Sequence, residues 1–434
     1  MSFPRYPKYK VSGADWLGDL PEHWSIVPLR HVADCLDGLR VPLNAEQRAA
    51  CPGAVPYWGA NCVVDHVERA LISEPVVLLG EDGAPFFDKA KDIAFYIDEP
   101  IWPNNHVHVL RPRCIVEGRY LAAALNITDY SRFIDGSTRD KLTQTAMSAI
   151  PIPMPTLPEQ RAIAAFLDRE TAKIDGLVAE QQRLIELLKE RRQAVISHAV
   201  TKGLDPKAPM KPTGVEWLGD VPAHWAIVPM RYCVTRTASG GTPESGRGEF
   251  WDCDGTEEST AWVAIGDMTA AQVVTSTERR VTPSGIASKR LEIFPTGTIL
   301  YSMYASLGKI ARLGVPAAIN QAILAIEPNA MMLGGEYLCY WLNHLEPALA
   351  SLASSSTQSN LNAAKVRSLP VAVSPLSEQR AIAAFLDGET ATIDGFVAEA
   401  ESAITLLQER RAALISAAVT GQIDVRNAVA AEAA

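Results

Sequence analysis

Two stretches of the chain carry a long apolar stripe at helical spacing. In the first, Ile174, Leu177, Val178, Leu184, Ile185, Leu188, Val195 and Ala199 fall three, four or seven positions apart, with Glu, Lys, Arg and Gln between them. In the second, Ile393, Phe396, Val397, Ile404, Leu407, Leu414 and Ala418 repeat the pattern. Each predicts a helix of about 40 residues, on the order of 60 Å at the rise of an α-helix. Pro158 suits a first helical turn and Gly203 a stop, while Gly176 and Gly395 inside the runs mark a kink or a close packing contact. One solitary helix cannot bury such a stripe, but two matched helices can bury each other's.

Ahead of each stripe the pattern shortens. "EPVVLLGEDG" (Glu74–Gly83), "KDIAFYID" (Lys91–Asp98) and "NNHVHVLRP" (Asn104–Pro112) alternate or run in β-branched residues between turn residues, as strands do. So do "TAWVAIGDM" (Thr260–Met268), "TGTILYSMY" (Thr296–Tyr304) and "AINQAILAIEP" (Ala318–Pro328). "EGRYLAAALN" (Glu117–Asn126) and "GEYLCYWLNHL" (Gly335–Leu345) read as matching helices. The variable segments, Ala33–Leu157 and Val234–Leu376, are therefore predicted to be strand-rich α+β domains.

The chain writes much of this twice. "EQRAIAAFLD" at Glu159–Asp168 returns letter for letter at Glu378–Asp387, and Glu190-Arg191-Arg192 returns as Glu409-Arg410-Arg411. "GADWLGDLPEHWSIVPLRHV" (Gly13–Val32) matches "GVEWLGDVPAHWAIVPMRYC" (Gly214–Cys233), and "GSTRDKLT" (Gly136–Thr143) weakly matches "SSTQSNLN" (Ser355–Asn362). The order is short block, variable segment and helix, then the same again. Shared frames with divergent inserts suggest one architecture carrying two specificities. A pseudo-twofold axis would set the helices antiparallel with one variable domain at each end. "LDPKAPMKPTG" (Leu204–Gly214) reads as the connector between the halves. By the same symmetry, the end of the second helix should approach "YPKYKVSG" at the N-terminus.

The composition narrows the chemistry. Seven scattered cysteines without a C-x-x-C pair fit a reducing cytoplasm better than a disulfide framework or a thiolate zinc site. No apolar run suits a signal peptide or a membrane span. Signatures for nucleotide-phosphate loops, dinucleotide folds, nucleophile elbows and zinc hydrolases are absent. His106 and His108 share a strand face and could ligate a metal, but strand histidines on a polar surface are the plainer reading. Glu81-Asp82 could form a carboxylate dyad, though a turn before Gly83 accounts for it. The net charge of −10 disfavours a nucleic-acid partner taken alone, yet a basic cleft can sit on an acidic body.

Residues suited to contacting phosphates or base edges occur in both variable segments. The first offers Lys89, Lys91, Asn104, Asn105, Arg111, Thr138, Arg139 and Lys141. The second offers Arg279, Arg280, Lys289, Arg290, Ser302, Tyr304, Lys309, Arg312, Gln358 and Asn360. On the helices, Glu159, Arg161, Arg191 and Arg192 recur as Glu378, Arg380, Arg410 and Arg411, a repeated charged surface on which a partner could dock.

"LPEQRAIAAFLDRETAKID…LIELLKERRQAVISHAVTKGLDP" together with "GVEWLGDVPAHW" resembles the specificity subunits of bacterial type I restriction-modification systems. The resemblance covers essentially the whole chain; one departure is Ser377, where the first copy has Pro158. It implies two target-recognition domains separated by a two-stranded antiparallel coiled coil, each domain reading one half of a bipartite, asymmetric DNA site. Two methyltransferase subunits and, in the full complex, restriction subunits would be the partners. S-adenosylmethionine and ATP with magnesium would be bound by those partners and no cofactor by this chain. The implied division places a first recognition domain at 1–157, a spacer helix at 158–203, a linker and second recognition domain at 204–376, a second spacer helix at 377–425 and a disordered tail at 426–434. A helical scaffold with two protein-binding domains is the competing reading.

Overall fold

Val76–Gly80 is apolar throughout because both of its faces are covered. Val77 and Leu79 join a core with Tyr120, Leu121 and Leu125 of the helix Gly118–Asn126. Val76 and Leu78 enter a second cluster with Trp58, Ile101, Val107 and Val109. The strand sits third in an antiparallel sheet ordered Ala33–Cys35, Val107–Pro112, Val76–Gly80, Ala94–Ile97. A three-stranded sheet of Val63–Val67, Pro52–Trp58 and Trp102–Pro103 accompanies it. The structure, a computed structural model, describes residues 3–134, 140–252, 258–270, 272–303, 308–354 and 362–426. It divides into two compact units, and these sheets belong to the first, Met1–Leu184 with Ala400–Ala434.

The second unit, Ile185–Glu399, repeats the plan. Its main sheet runs Val234–Ser239, Ile323–Pro328, Ile299–Ser302, Ile310–Leu313, Val273–Val274. Ile299 and Tyr301 pack with Tyr337, Leu338 and Trp341 of the helix Gly335–Ser354, whereas Leu300 packs with Ile323 and Ala325. A four-stranded sheet contains Trp251–Asp252, Arg279–Val281, Thr260–Val263 and Ala317–Ile319. The "GDM" end of "TAWVAIGDM", expected to be strand, instead turns into the helix Ile265–Ala270.

Both short blocks fold alike. Tyr9–Val11 pairs with Asp19–Pro21 in the first unit, and Met210–Pro212 with Asp220–Pro222 in the second. Ser25–Pro28 pairs with Pro151–Met154, as Ala226–Pro229 pairs with Pro370–Val373. In the second unit, the first long helix ends at Gly203 (φ +72°), against Trp225 and Pro222. In the first, the second long helix ends at Gly421 (φ +68°), against Trp24 and Pro21. Left-handed backbone favours glycine at both stops, which are thus the same C-cap built twice. Tyr9 donates its hydroxyl to the carbonyl of Gly421 (2.9 Å), the expected approach of the second helix to the N-terminal block.

The long helices run Leu157–Lys202 and Leu376–Val419. Within the first unit their segments lie antiparallel: Arg411 bonds Asp175 (3.0 Å), while Ile163 and Leu167 share a core with Ile415 and Val419. Within the second, Arg192 bonds Asp394 (2.9 Å), and Ile196 and Val200 share a core with Ile382 and Leu386. The buried seam is narrower than the expected stripe. Ile174, Ile185, Ile393 and Ala400 are buried, and Val178, Leu188, Val397, Ile404 and Leu407 are half-buried. Leu177, Leu184 and Phe396 are 46%, 43% and 51% exposed, because a helix facing a single partner covers only the 3.5-residue seam. Gly176 and Gly395 border open space, so the close contact expected there is absent. The second helix stops at Val419 rather than 425. Val425 enters the core and Arg426 pairs with Asp424 over the Tyr6 ring, so the expected tail does not begin at 426. Residues 427–434 lie outside the described ones.

One core group makes the second unit sensitive to pH. His344 packs against Trp217 and Trp341, its Nδ1 lies 2.9 Å from Ser197 Oγ, and its buried Nε2 has no partner among the described residues. Burial pushes its imidazole down from the ordinary 6.5 to about 4. The unfolded chain thus binds a proton below pH 6.5 that the folded unit refuses until about pH 4. Stability contributed by the neutral ring is complete above 6.5 and drains away between those values, by about 2–3 kcal/mol. In unfolding curves over pH 4–7, the stability difference between the parent and His344→Gln should stay constant above pH 6.5 and shift against the parent by that amount as the pH falls to about 4. Parallel curves would refute the assignment.

Candidate nucleic-acid interface

In the first unit, the ends of the central strands rest on a buried charge network. His108, 1% exposed, places Nδ1 2.6 Å from Asp37 Oδ2 and Nε2 2.9 Å from the carbonyl of Leu142. Arg40 pairs with both Asp37 and Glu81, and Lys141 reaches Glu81 at 3.0 Å. Burial works to raise both carboxyls. Bonds from His108 and the Val109 amide to Asp37, and from Arg40 and Lys141 to Glu81, outweigh it and hold each below its ordinary value. Asp37, Glu81 and His108 are close enough to surround a cation. Their lone pairs are already taken by Arg40, Lys141 and the backbone, so the set fits a structural network better than a metal centre.

Two expectations change here. His108 is a core residue rather than a surface one, because its polar atoms find partners inside the sheet. Glu81 and Asp82 form no dyad: Glu81 faces Arg40 and Lys141, while Asp82 bonds His106 Nδ1. The turn reading stands, with Gly83 at φ +70°.

Lys89, Lys91 and Asn105 are exposed, Lys91 lying 2.9 Å from Asp88. Arg111 is committed to a two-pronged pair with Glu74. Asn104 is buried, its Oδ1 accepting the His106 amide (2.7 Å), so it shapes a turn instead of presenting an amide outward. Thr138 and Arg139 lie outside the described residues. In the second unit, Arg279 lies over the Trp251 ring, 3.5 Å from its centroid, and Arg280 bonds Ser259 Oγ (2.7 Å). Lys289 and Arg290 end an exposed helix, Arg290 in the left-handed region (φ 49°). Lys309 lies 3.9 Å from Glu346, and Arg312 bonds Glu336 (2.6 Å). Ser302 is fully buried in its strand, which removes it from any surface. Tyr304, Gln358 and Asn360 lie outside the described residues.

Half of the helix candidates are used by the fold. Glu159 is buried, accepting from the Thr156 amide (3.1 Å) at the helix start and lying 2.9 Å from His23 Nε2. Glu378 meets His224 Nε2 (2.9 Å) and the Trp225 indole (3.1 Å). These carboxylates latch each helix start to its short block and are not available to a partner. Arg192 and Arg411 are tied to Asp394 and Asp175, Arg411 also to Asp92 (2.7 Å). Arg161, Arg191, Arg380 and Arg410 remain exposed.

Sequence reading also passed over three residues. Gln160 and Gln379, each 1% exposed, clamp the helix starts to the neighbouring domains: Gln160 accepts from the Glu117 amide and Gln379 from the Gly334 amide, both at 2.8 Å. The repeated "EQR" was the available signal, its Gln hidden among polar letters. The third is Gln321, exposed on the turn before Ile323–Pro328.

Two copies of one α+β plan, each built around the start of one long helix and the end of the other, define a tandem-repeat protein. The model of the type I restriction modification DNA specificity domain matches residues 21–187 and again 242–395, and the chain belongs to that family. A putative MjaX specificity subunit of Methanocaldococcus jannaschii is 21% identical over 94% of this chain and 96% of its own length. A putative type I specificity subunit of Haemophilus influenzae is 34% identical over 33% of this chain and 37% of that protein. A chain solved in work on complex assembly and conformational transition of the type I R-M system shares the fold, with a TM-score of 0.66 at 17% identity over 92% of this chain and 98% of that one. No described helix is long and apolar enough to cross a membrane.

Proposed function

We propose that this chain is the DNA-reading subunit of a type I restriction-modification complex in the cytoplasm, each unit reading one half of a bipartite, asymmetric site. The observation that carries this is the double match to the specificity-domain family, once in each unit. Exposed Lys89, Lys91 and Asn105 in the first unit, and Lys289, Arg290 and Lys309 in the second, are the candidates for phosphate and base contacts. The long helices act as a two-stranded antiparallel coiled coil that sets the spacer between half-sites. Exposed Leu177, Leu184, Arg161 and Arg410 on the helices of the first unit, and exposed Leu187, Phe396, Arg191 and Arg380 on those of the second, are the candidates for docking two methyltransferase subunits. S-adenosylmethionine, ATP and magnesium belong to those subunits and to the restriction subunits.

Mobility-shift titrations with and without co-expressed methyltransferase, over a salt series, test this. The complex should shift duplex DNA sequence-selectively, with log affinity falling linearly in log salt. Binding should be weaker for the chain alone, because the partner helps enclose the duplex. A scaffold that grips proteins would give no sequence-selective shift in either case.

A further inference from the structure

The two units share a turn whose exposed residue is an amide in both. In the first, a short strand (Trp102–Pro103) lies parallel to Pro52–Trp58 and leads through Asn104, Asn105 and His106 into the central strand Val107–Pro112. In the second, Ala317–Ile319 lies parallel to Thr260–Val263 and leads through Asn320, Gln321 and Ala322 into Ile323–Pro328. The bonds coincide. Asn104 and Asn320 donate their amides to Trp58 and Val263, each at 3.0 Å. Their Oδ1 atoms accept the amides of His106 (2.7 Å) and Ala322 (2.8 Å). The carbonyls of His106 and Ala322 accept from Glu81 and Met303, each at 2.9 Å.

Two backbone–backbone bonds and one bond to a side-chain acceptor thus fix each turn, and the middle residue, Asn105 or Gln321, is left exposed. Each amide has a lysine on an adjoining segment: Lys141 bridges to Asp82 beside His106, and Lys289 lies beside Gly241, next to Thr242. Thr242 donates its hydroxyl to Gln321 Oε1, which orients that amide and, among the described residues, leaves its N–H groups without a partner. A planar amide held at a fixed strand entry matches the N7 acceptor and N6 donor of adenine in the major groove.

We infer that Asn105 and Gln321 are the paired specificity-determining residues, each reading one adenine in its own half-site. This rests on the DNA-reading role proposed above. Asn104 and Asn320 are positioning residues that act through the turn.

The test is selection of bound duplexes from a pool randomised across both half-sites, using the full chain co-expressed with its methyltransferase. Asn105→Ala should relax one adenine in one half by about ten- to a hundredfold and leave the other half unchanged. Gln321→Ala should do the converse. Asn105→Asp and Gln321→Glu should move the same positions toward cytosine, whose N4 donates to a carboxylate. An unchanged consensus, or a uniform loss across all sequences as from a phosphate contact, would overturn the inference. If an alanine variant binds nothing, Asn105→Gln and Gln321→Asn decide: adenine retained supports amide reading, adenine lost refutes it. A parent complex that enriches no sequence would instead refute the DNA-reading role itself.

Discussion

Replacing Trp24 by Ala is expected to lower the stability of the first unit by about 3–5 kcal/mol, a fall on the order of 10 °C in Tm. The indole is fully buried, sits edge-on to Tyr6 with ring centroids 5.7 Å apart, and walls the helix stop at Gly421. Its loss should therefore loosen the end of the second long helix as well as the short block. Hydrogen exchange should accelerate over both 19–32 and 411–419; acceleration confined to the block would show that the indole does not hold the helix end. Trp225→Ala should behave alike in the second unit. The two differ in one bond, which a gentler substitution isolates. The Trp225 indole donates to Glu378 (3.1 Å), whereas Trp24 Nε1 has no partner among the described residues. Trp225→Phe should therefore cost about 1–2 kcal/mol more than Trp24→Phe, the difference being a hydrogen bond to a charged acceptor. Equal losses from the two Phe variants would mean the bond contributes nothing.

Local pattern carried far in this chain. The strands at Val76–Gly80, Val107–Pro112 and Ile299–Ser302 and both long helices lie where their periodicities place them. What local pattern could not supply is which distant segment each polar residue meets. Arg111 reads as a free cation until Glu74 is folded beside it, and Arg411 until Asp92 and Asp175 arrive. His108 reads as a surface histidine because alternation says which face it shares and not whether that face is covered. Glu159 and Glu378 share their letters with a solvated helix face, yet His23 and His224 of the short blocks claim them. Asn105 stood among the sequence candidates, but Gln321 and its equivalence to Asn105 were hidden for a related reason: the two differ in letter, and their equivalence lies in the backbone bonds around them.

Lengthening the long helices is expected to lengthen the unspecified spacer of the recognised site without altering its half-sites. The register observed in each unit dictates how the insertion must be made. Arg411 sits on Asp175 in the first unit, and Arg192 on Asp394 in the second. Four residues added to one helix alone would slide it past its partner and break one of these pairs. The insertion must be matched, four residues after Leu184 and four after Glu399, where one unit gives way to the other in both helices. Each adds roughly 6 Å of helix. B-DNA rises about 3.4 Å per base pair, so the spacer should grow by one or two base pairs. Four residues overshoot a helical turn by about 40°, and each added base pair turns its half-site by about 35°, so some affinity should be lost even at the new optimum. The bases of each half-site should not change, since Asn105, Gln321 and the exposed lysines keep their surroundings. Sequencing the methylated sites of the matched variant reads the result directly. An active variant that kept its original spacing would sink the ruler, and a single-helix insertion that performed as well as the matched one would show that the antiparallel register is not what transmits the length.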